Sequence, residues 1–464
     1  MVDVFTLKAF NWADDPDDLP LAYAFAAGID GARNELSAPS LSERFQARLT
    51  AGVPLELHVT VVDQHDAMAY ASTQANVTAS ELDEVVVELV VSEAAVRLQT
   101  GDGQAATQSA AALAASLNVK QQHANLAAAE APEIRASFAA LGDQVGTALR
   151  TTLMTTVARA AEMSAVSPVG LKQTSSAVQA ISSEWTQLSD QAVAEGAVLL
   201  ARLASEAVTM SESLEQGTEV HLLQSVDAML HAPNASRGSP ASRTAVRQLA
   251  AAVSTMPLAM LRGRVPGEGV QRIATEHVQM VVAKEEAAEL DASDVRFSAP
   301  VGTGGRSNAT GSFTMPNGTL AALLSAPMVA EGAGVGVALT MWSVDIHAGE
   351  IVTGKGEGEG EEQSEEEVVK GAATPIVSIV LSDDGGVPLI VDNLAKPMVI
   401  EVPAPWTPTA VPGNLNMPLI ATNRGASSVE ARGRDRKGMR VLMPWPSMAL
   451  AWLSWLFFTW PDMT

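Results

Sequence analysis

The sequence predicts an α+β protein in which a β-rich opening, an alanine-rich helical middle and a second β region follow one another. Three observations carry that reading. Leu55, Leu57, Val59 and Val61 alternate with Glu56, His58 and Thr60, the period of two of a half-buried strand. From residue 81 to about residue 288 apolar side chains recur at helical spacing in an alanine-rich text, and alanine is the best helix former. Beyond Asp291, β-branched runs separated by Gly, Asp and Pro return.

Residues 1–78 read as part of a β-sandwich, because short alternating runs are separated by turn residues. Residues 79–290 read as a helical region. Gly101-Asp102-Gly103, residues 168–170 and residues 231–240 interrupt it and divide it into amphipathic helices of an irregular bundle. Residues 291–410 read as an antiparallel β domain, with strands expected at 335–346, 375–381, 387–391 and 397–402. Inside it, residues 354–367 (GKGEGEGEEQSEEE) are a low-complexity acidic run that buries too little to offset its ordering entropy, so a solvated loop is expected. Residues 411–464 are an atypical or disordered tail: Arg424, Arg432, Arg434, Arg436, Lys437 and Arg440 crowd together ahead of a tryptophan-rich end. Its apolar stretch, residues 447–460, would span about 21 Å as a helix against a hydrocarbon core of about 30 Å, too short for a membrane span.

Composition narrows the chemistry. With 53 acidic and 29 basic side chains the net charge is −24, which repels phosphate and anionic lipid and excludes nucleic acid as a partner. The chain has no cysteine, so disulfides, thiolate metal sites and thiol nucleophiles are all excluded. No HExxH pair, phosphate loop, dinucleotide-binding glycine motif or GxSxG elbow occurs, and the histidines form no i, i+4 pair, so a non-enzymatic protein without an organic cofactor is expected. The densest polar constellation is Asp14, Asp15, Asp17 and Asp18 around Pro16. Several carboxylates in one turn offer the oxygen ligands that calcium takes. A turn that merely exposes its aspartates is the competing reading, since Asp and Pro are turn formers. Asn76, Asn234, Asn308 and Asn317 each begin an N-x-[ST] sequon, the acceptor of N-glycans on an extracytoplasmic face.

The run from Phe5 to Phe25 (FTLKAFNWADDPDDLPLAYAF) resembles the receptor-for-egg-jelly (REJ) module of polycystin-1-like proteins: a strand ending in Trp, an acidic turn, then the start of the next strand. The similarity continues through residues 36–41 and 57–63, with Asp66-Ala67 where Gly-Ala is usual. It implies a partial fibronectin-like sandwich whose core takes Trp12, Leu19, Leu21, Tyr23 and Phe25. Residues 100–118 are similar to the helical part that follows. The final β region resembles a GAIN domain on Met341-Trp342 through His347 and on the two stretches 377–386 and 391–397, expected as a pair of strands, with a helical GAIN subdomain before them. The GPS motif of that family, with its cysteines and cleavage triplet, is absent after Pro405, so no self-cleavage is expected.

The resemblance implies a non-catalytic ectodomain portion of a membrane receptor that regulates a cation channel, acting in adhesion and in ligand or mechanical sensing. Its partner would be a protein or glycan ligand, and membrane attachment is expected of the full-length family member. The chain then reads as a fragment that begins inside the sandwich. The alternative is a soluble acidic scaffold of the cytoplasm that binds partner helices.

Overall fold

The computed structural model describes residues 4–10, 12, 15–29, 32–37, 39–49, 54–77, 84–130, 135–164, 166–210, 214, 217–232, 240–301, 311–320, 333–344, 376–389, 398–402 and 439–442. The chain is α+β, as its sequence predicts, and divides into two compact units, Met1–Met256 and Pro257–Thr464.

The first unit opens with β1 (Val4–Lys8), a short 3-10 turn (Pro16–Asp18), β2 (Ala22–Ile29), β3 (Ala32–Glu35), β4 (Arg44–Arg48), β5 (Pro54–Val62) and β6 (Met68–Asn76). All pairings are antiparallel: β3-β2-β5-β6 form one sheet, and β1 and β4 form a second. Between them lie Ala47, Leu49 and Leu55, with Phe5, Leu7, Phe45 and Leu57 packed against them, and Phe45 stacks on Phe25 at 5.9 Å. This is a narrow sandwich of four strands over two. Its core differs from the expected one: Phe25 is fully buried, whereas Trp12, Leu21 and Tyr23 are half-buried and Leu19 is exposed. Leu19 and Leu21 precede the strand, so the sheet's alternation does not carry them inward.

Seven helices follow: α1 (Glu84–Gln99), α2 (Gly103–Glu130), α3 (Arg135–Met163), α4 (Pro168–Ser182), α5 (Asp190–Thr209), α6 (Thr218–His231) and α7 (Pro240–Arg262). The three expected breaks fall where the glycines and prolines put them. Gly101, at φ 83°, turns the chain out of α1, and Asp102 then caps α2 by accepting the Ala105 N–H at 3.1 Å. Ser167 caps α4 ahead of Pro168, and Ser189 caps α5 through the Ala192 N–H at 3.1 Å. That last break has no Gly or Pro to announce it. Leu113, Leu153, Met154, Ile181, Leu200, Leu222 and Leu223 fill the helical core.

The helical region expected to run to residue 290 stops at Arg262, in the second unit. Pro266, Gly267 and Gly269 end it, and the β-branched text behind them forms β7 (Gln271–Ala274) and β8 (Val278–Glu286). The remaining elements are α8 (Ala287–Ala292), β9 (Val295–Ser298), β10 (Ser312–Met315), β11 (Gly334–Trp342), β12 (Ile376–Ser382), β13 (Val399–Val402) and β14 (Met439–Leu442). They form two antiparallel sheets, β12-β11-β8-β7 and β14-β13-β10-β9. Val281, Val337, Leu339 and Met341 from one sheet meet Phe297, Phe313 and Met315 from the other in a single apolar core. This is a sandwich with both inner faces covered. Of the strand expected at 387–391, the described residues 387–389 form a bridge between Ser382 and Pro388, because the turn after β12 takes up Val387. Residues 391–397, 354–367 and 411–438 lie outside the described residues, and so does His347.

Candidate functional site

The acidic turn is the sequence's leading site, and the fold gives it a partner. The 3-10 turn closes as the Asp18 N–H donates to the Asp15 carbonyl at 2.9 Å. The β5–β6 hairpin turn comes to the same corner: the Gln64 N–H donates to the Asp18 carbonyl at 3.4 Å and its side-chain amide to the Asp17 carbonyl. His65 Nε2 lies 3.7 Å from Asp18 Oδ1. The sequence shows two acidic loops but not that they meet; antiparallel pairing of β2 with β5, Ala22 opposite Val62, is what carries both to one end of the sheet.

The hairpin turn explains why Asp63 is there. Its Oδ1 accepts the N–H of His65 at 2.7 Å and of Ala67 at 2.9 Å, while the Asp63 N–H donates to the Ala67 carbonyl at 3.1 Å. Asp66 stands at φ 64°, a left-handed conformation that Gly adopts freely and Asp tolerates. The carboxylate of Asp63 is therefore committed to the backbone. Asp15 and Asp17 are exposed and Asp18 is half-buried. Among the described residues, Asp15, Asp17, Asp18, His65 and the hairpin aspartates do not bring three ligand atoms within 4.8 Å of one another; Asp14 lies outside the described residues. The corner supplies negative charge and one histidine at the surface rather than a formed cation cage.

A second polar centre, which sequence reasoning missed, lies inside the helices. Arg150 on α3 is fully buried. Its Nε donates to Gln187 Oε1 at 3.1 Å, its Nη1 to the Ile181 carbonyl at 2.7 Å, and its Nη2 to Asn118 Oδ1 at 2.6 Å. Asn118 in turn donates to the Ala180 carbonyl at 2.8 Å. Ala180 and Ile181 sit in the last turn of α4, where carbonyls lack helical partners and the helix dipole is negative. Burial pushes the guanidinium pKa down to about 10, offset by the charge of Glu184. One side chain thus joins α2, α3, the end of α4 and the segment before α5. Gly146, one turn earlier on α3, leaves room for it: an added Cβ would lie 2.5 Å from Gln187 Oε1. The sequence signal was an arginine inside an apolar helix face, which periodicity alone reads as surface.

Between α4 and α6, burial and the nearby Lys172 ammonium both lower the pKa of His221, whose Nδ1 is buried without a partner. In the second unit, Lys284 on β8 is nearly sealed from solvent and clamps the turn after β12, reaching Asp384 Oδ1 at 2.9 Å and its carbonyl at 3.0 Å. That turn repeats the hairpin of the first unit: Asp383 Oδ1 accepts the Val387 N–H at 2.8 Å, the Asp383 N–H donates to the Val387 carbonyl at 2.9 Å, and Gly386 takes φ 79°. Of the sequons, Asn76 is exposed at the end of β6 and Asn317 is exposed after β10, its N–H bonded to Asp294 Oδ1 at 2.9 Å; Asn234 and Asn308 lie outside the described residues.

No protein-family profile and no curated protein matches the chain. Among solved structures it is similar to the full extracellular region of zebrafish Gpr126/Adgrg6, at 11% identity and a TM-score of 0.38. The similarity covers 60% of this chain and 34% of that one. Among the described residues no helix is long and apolar enough to cross a membrane.

Proposed function

We propose that the chain is a non-catalytic, extracellular-facing portion of a polycystin-1-like membrane receptor that regulates a cation channel. It receives a protein or glycan ligand or mechanical load and passes it along REJ-like and GAIN-like domains. The observation that carries this reading is how the N-terminal motif sits in its sheet. The acidic stretch is a turn, the following Tyr23 and Phe25 lie on a strand paired to β5, and Asp66, which replaces the usual glycine of the motif, stands at the left-handed φ that a glycine there would serve. A helical stretch and then a two-sheet sandwich, with Met341 and Trp342 buried at the end of β11, follow in the order the resemblance requires. Calcium remains the candidate ion for the turn of Asp14, Asp15, Asp17 and Asp18, of which Asp15 and Asp17 are exposed.

Two measurements test it. Sequencing the complete transcript is expected to find REJ sequence upstream and membrane helices downstream. The chain routed through a secretory pathway is expected to gain glycosidase-sensitive mass at Asn76 and Asn317. A complete reading frame confined to these residues, together with a chain left unglycosylated there, overturns the proposal.

A further inference from the structure

Strand β6 is the end strand of its sheet, and over Met68–Asn76 eight of its nine residues are exposed and Ala75 is half-buried. One edge pairs with β5 along the whole length, Pro54 opposite Asn76 to Val62 opposite Met68. Among the described residues the other edge carries no strand, so it presents a row of unpaired N–H and C=O groups. Natural edges are protected by charge, proline, bulges or shortness. This one, MAYASTQAN, has none of these, although the chain carries −24 overall, and it exposes Met68 and Tyr70 at 58% and 65%. The strand at the opposite edge, β3, has an arginine and a glutamate in four residues.

We propose that β6 pairs antiparallel with β6 of a second copy of this chain, about a two-fold axis through Ser72. Two properties select a second copy as the occupant. Copies of so acidic a chain repel, and an uncharged strand is where they approach edge to edge without setting like charges opposite each other. The strand is also complementary to itself. In the one register that pairs all nine residues, Ser72 meets Ser72, Ala71 meets Thr73, Tyr70 meets Gln74, Ala69 meets Ala75 and Met68 meets Asn76. The row that points to the core side, opposite Leu55, Leu57, Val59 and Val61, is Ala69, Ala71, Thr73 and Ala75, so the uncovered inner faces of the two copies join. A single strand pair is at the small end of interfaces, so the dimer is concentration-dependent. The proposal does not depend on the receptor reading.

The chain lacks cysteine, which makes the test clean. The 464-residue chain is used unglycosylated, since the Asn76 glycan expected under the receptor reading would cover one end of the strand. Sedimentation is expected to show mass rising from 48.3 kDa toward twice that value with concentration, and Ser72→Lys, which sets two ammonium groups face to face, is expected to hold the mass at 48.3 kDa, with a circular dichroism melt that matches the wild type's at concentrations where the wild type is monomeric. Under mild oxidation Ser72→Cys is expected to form a covalent dimer at least tenfold faster than Thr73→Cys, because facing residues on the axis bring their Cα atoms within disulfide reach. A wild-type mass fixed at 48.3 kDa overturns the proposal, and amides of β6 protected from exchange in that monomer would assign the edge to a segment of the same chain. A dimer that survives Ser72→Lys, or equal cross-linking at both positions, overturns it as well.

Discussion

Strands β6 and β11 are both nine residues long and both belong to four-stranded antiparallel sheets, yet every residue of β11 is buried and almost every residue of β6 is exposed. The contrast separates two things that strand formation does. Ladder hydrogen bonds fix the backbone of both. Burial comes from neighbours and layers: β11 lies between β8 and β12 with Phe297, Phe313 and Met315 across its inner face, whereas the sheet over β6 is only two strands wide. The sequences agree with their sites. GVGVALTMW is apolar but for Thr340 and suits two covered faces, and MAYASTQAN offers one row of Ala and Thr and one of Met68, Tyr70, Ser72, Gln74 and Asn76.

Substitutions can break this contrast, beginning where burial is complete. Leu339→Asp places a carboxylate in the middle of β11 and is expected to cost about 4 kcal/mol or more, unfolding the second unit; denaturant melts followed by circular dichroism read it. The helices test whether polar burial is as demanding. Arg150→Met leaves Asn118, Gln187 and the α4 carbonyls without their donor and is expected to cost about 3 kcal/mol, with Arg150→Lys recovering part of it. His221 gives a pH-dependent version. Its folded pKa lies below the ordinary 6.5, so the unfolded chain binds the proton first, and the penalty is absent above about pH 6.5 and grows as pH falls through that value toward the folded pKa. His221→Gln is therefore expected to flatten the melting temperature between pH 7 and pH 5, as scanning calorimetry would show. At the open end of the scale, Ser72→Lys, compared with the wild type at a concentration where both are monomeric, is expected to change stability by no more than about 0.5 kcal/mol; a larger loss would mean that a segment of the same chain covers β6.

Much of this was legible in the chain. Alternation located β5, Gly101 and Pro168 located helix ends, and the order of β, helical and β text gave the class. Two kinds of feature were not. The start of the second β region was set too late: Pro266, Gly267 and Gly269 end α7, but β7 is only four residues long and the short apolar run Val278–Glu286, VQMVVAKEE, has no periodicity to distinguish strand from helix. The polar centres depended on long-range contacts: Asn118, Arg150 and Gln187 are far apart in sequence, and the meeting of the Asp17 and Gln64 loops depends on which strands pair. Local pattern carries no information about either.

The aspartate-headed turn built at both Asp63 and Asp383 has a kinetic consequence. At Asp63 it joins strands adjacent in sequence, so β5 and β6 can close as a hairpin on a timescale of about 1–10 μs. At Asp383 it follows a strand whose partner, β11, lies across residues 343–375, and β11 must also find β8 across residues 287–333. Loop closure makes such pairings slower. During synthesis the residues of the hairpin leave the ribosome before those of the second sandwich, so the β6 edge is available for pairing while most of the molecule is still unmade.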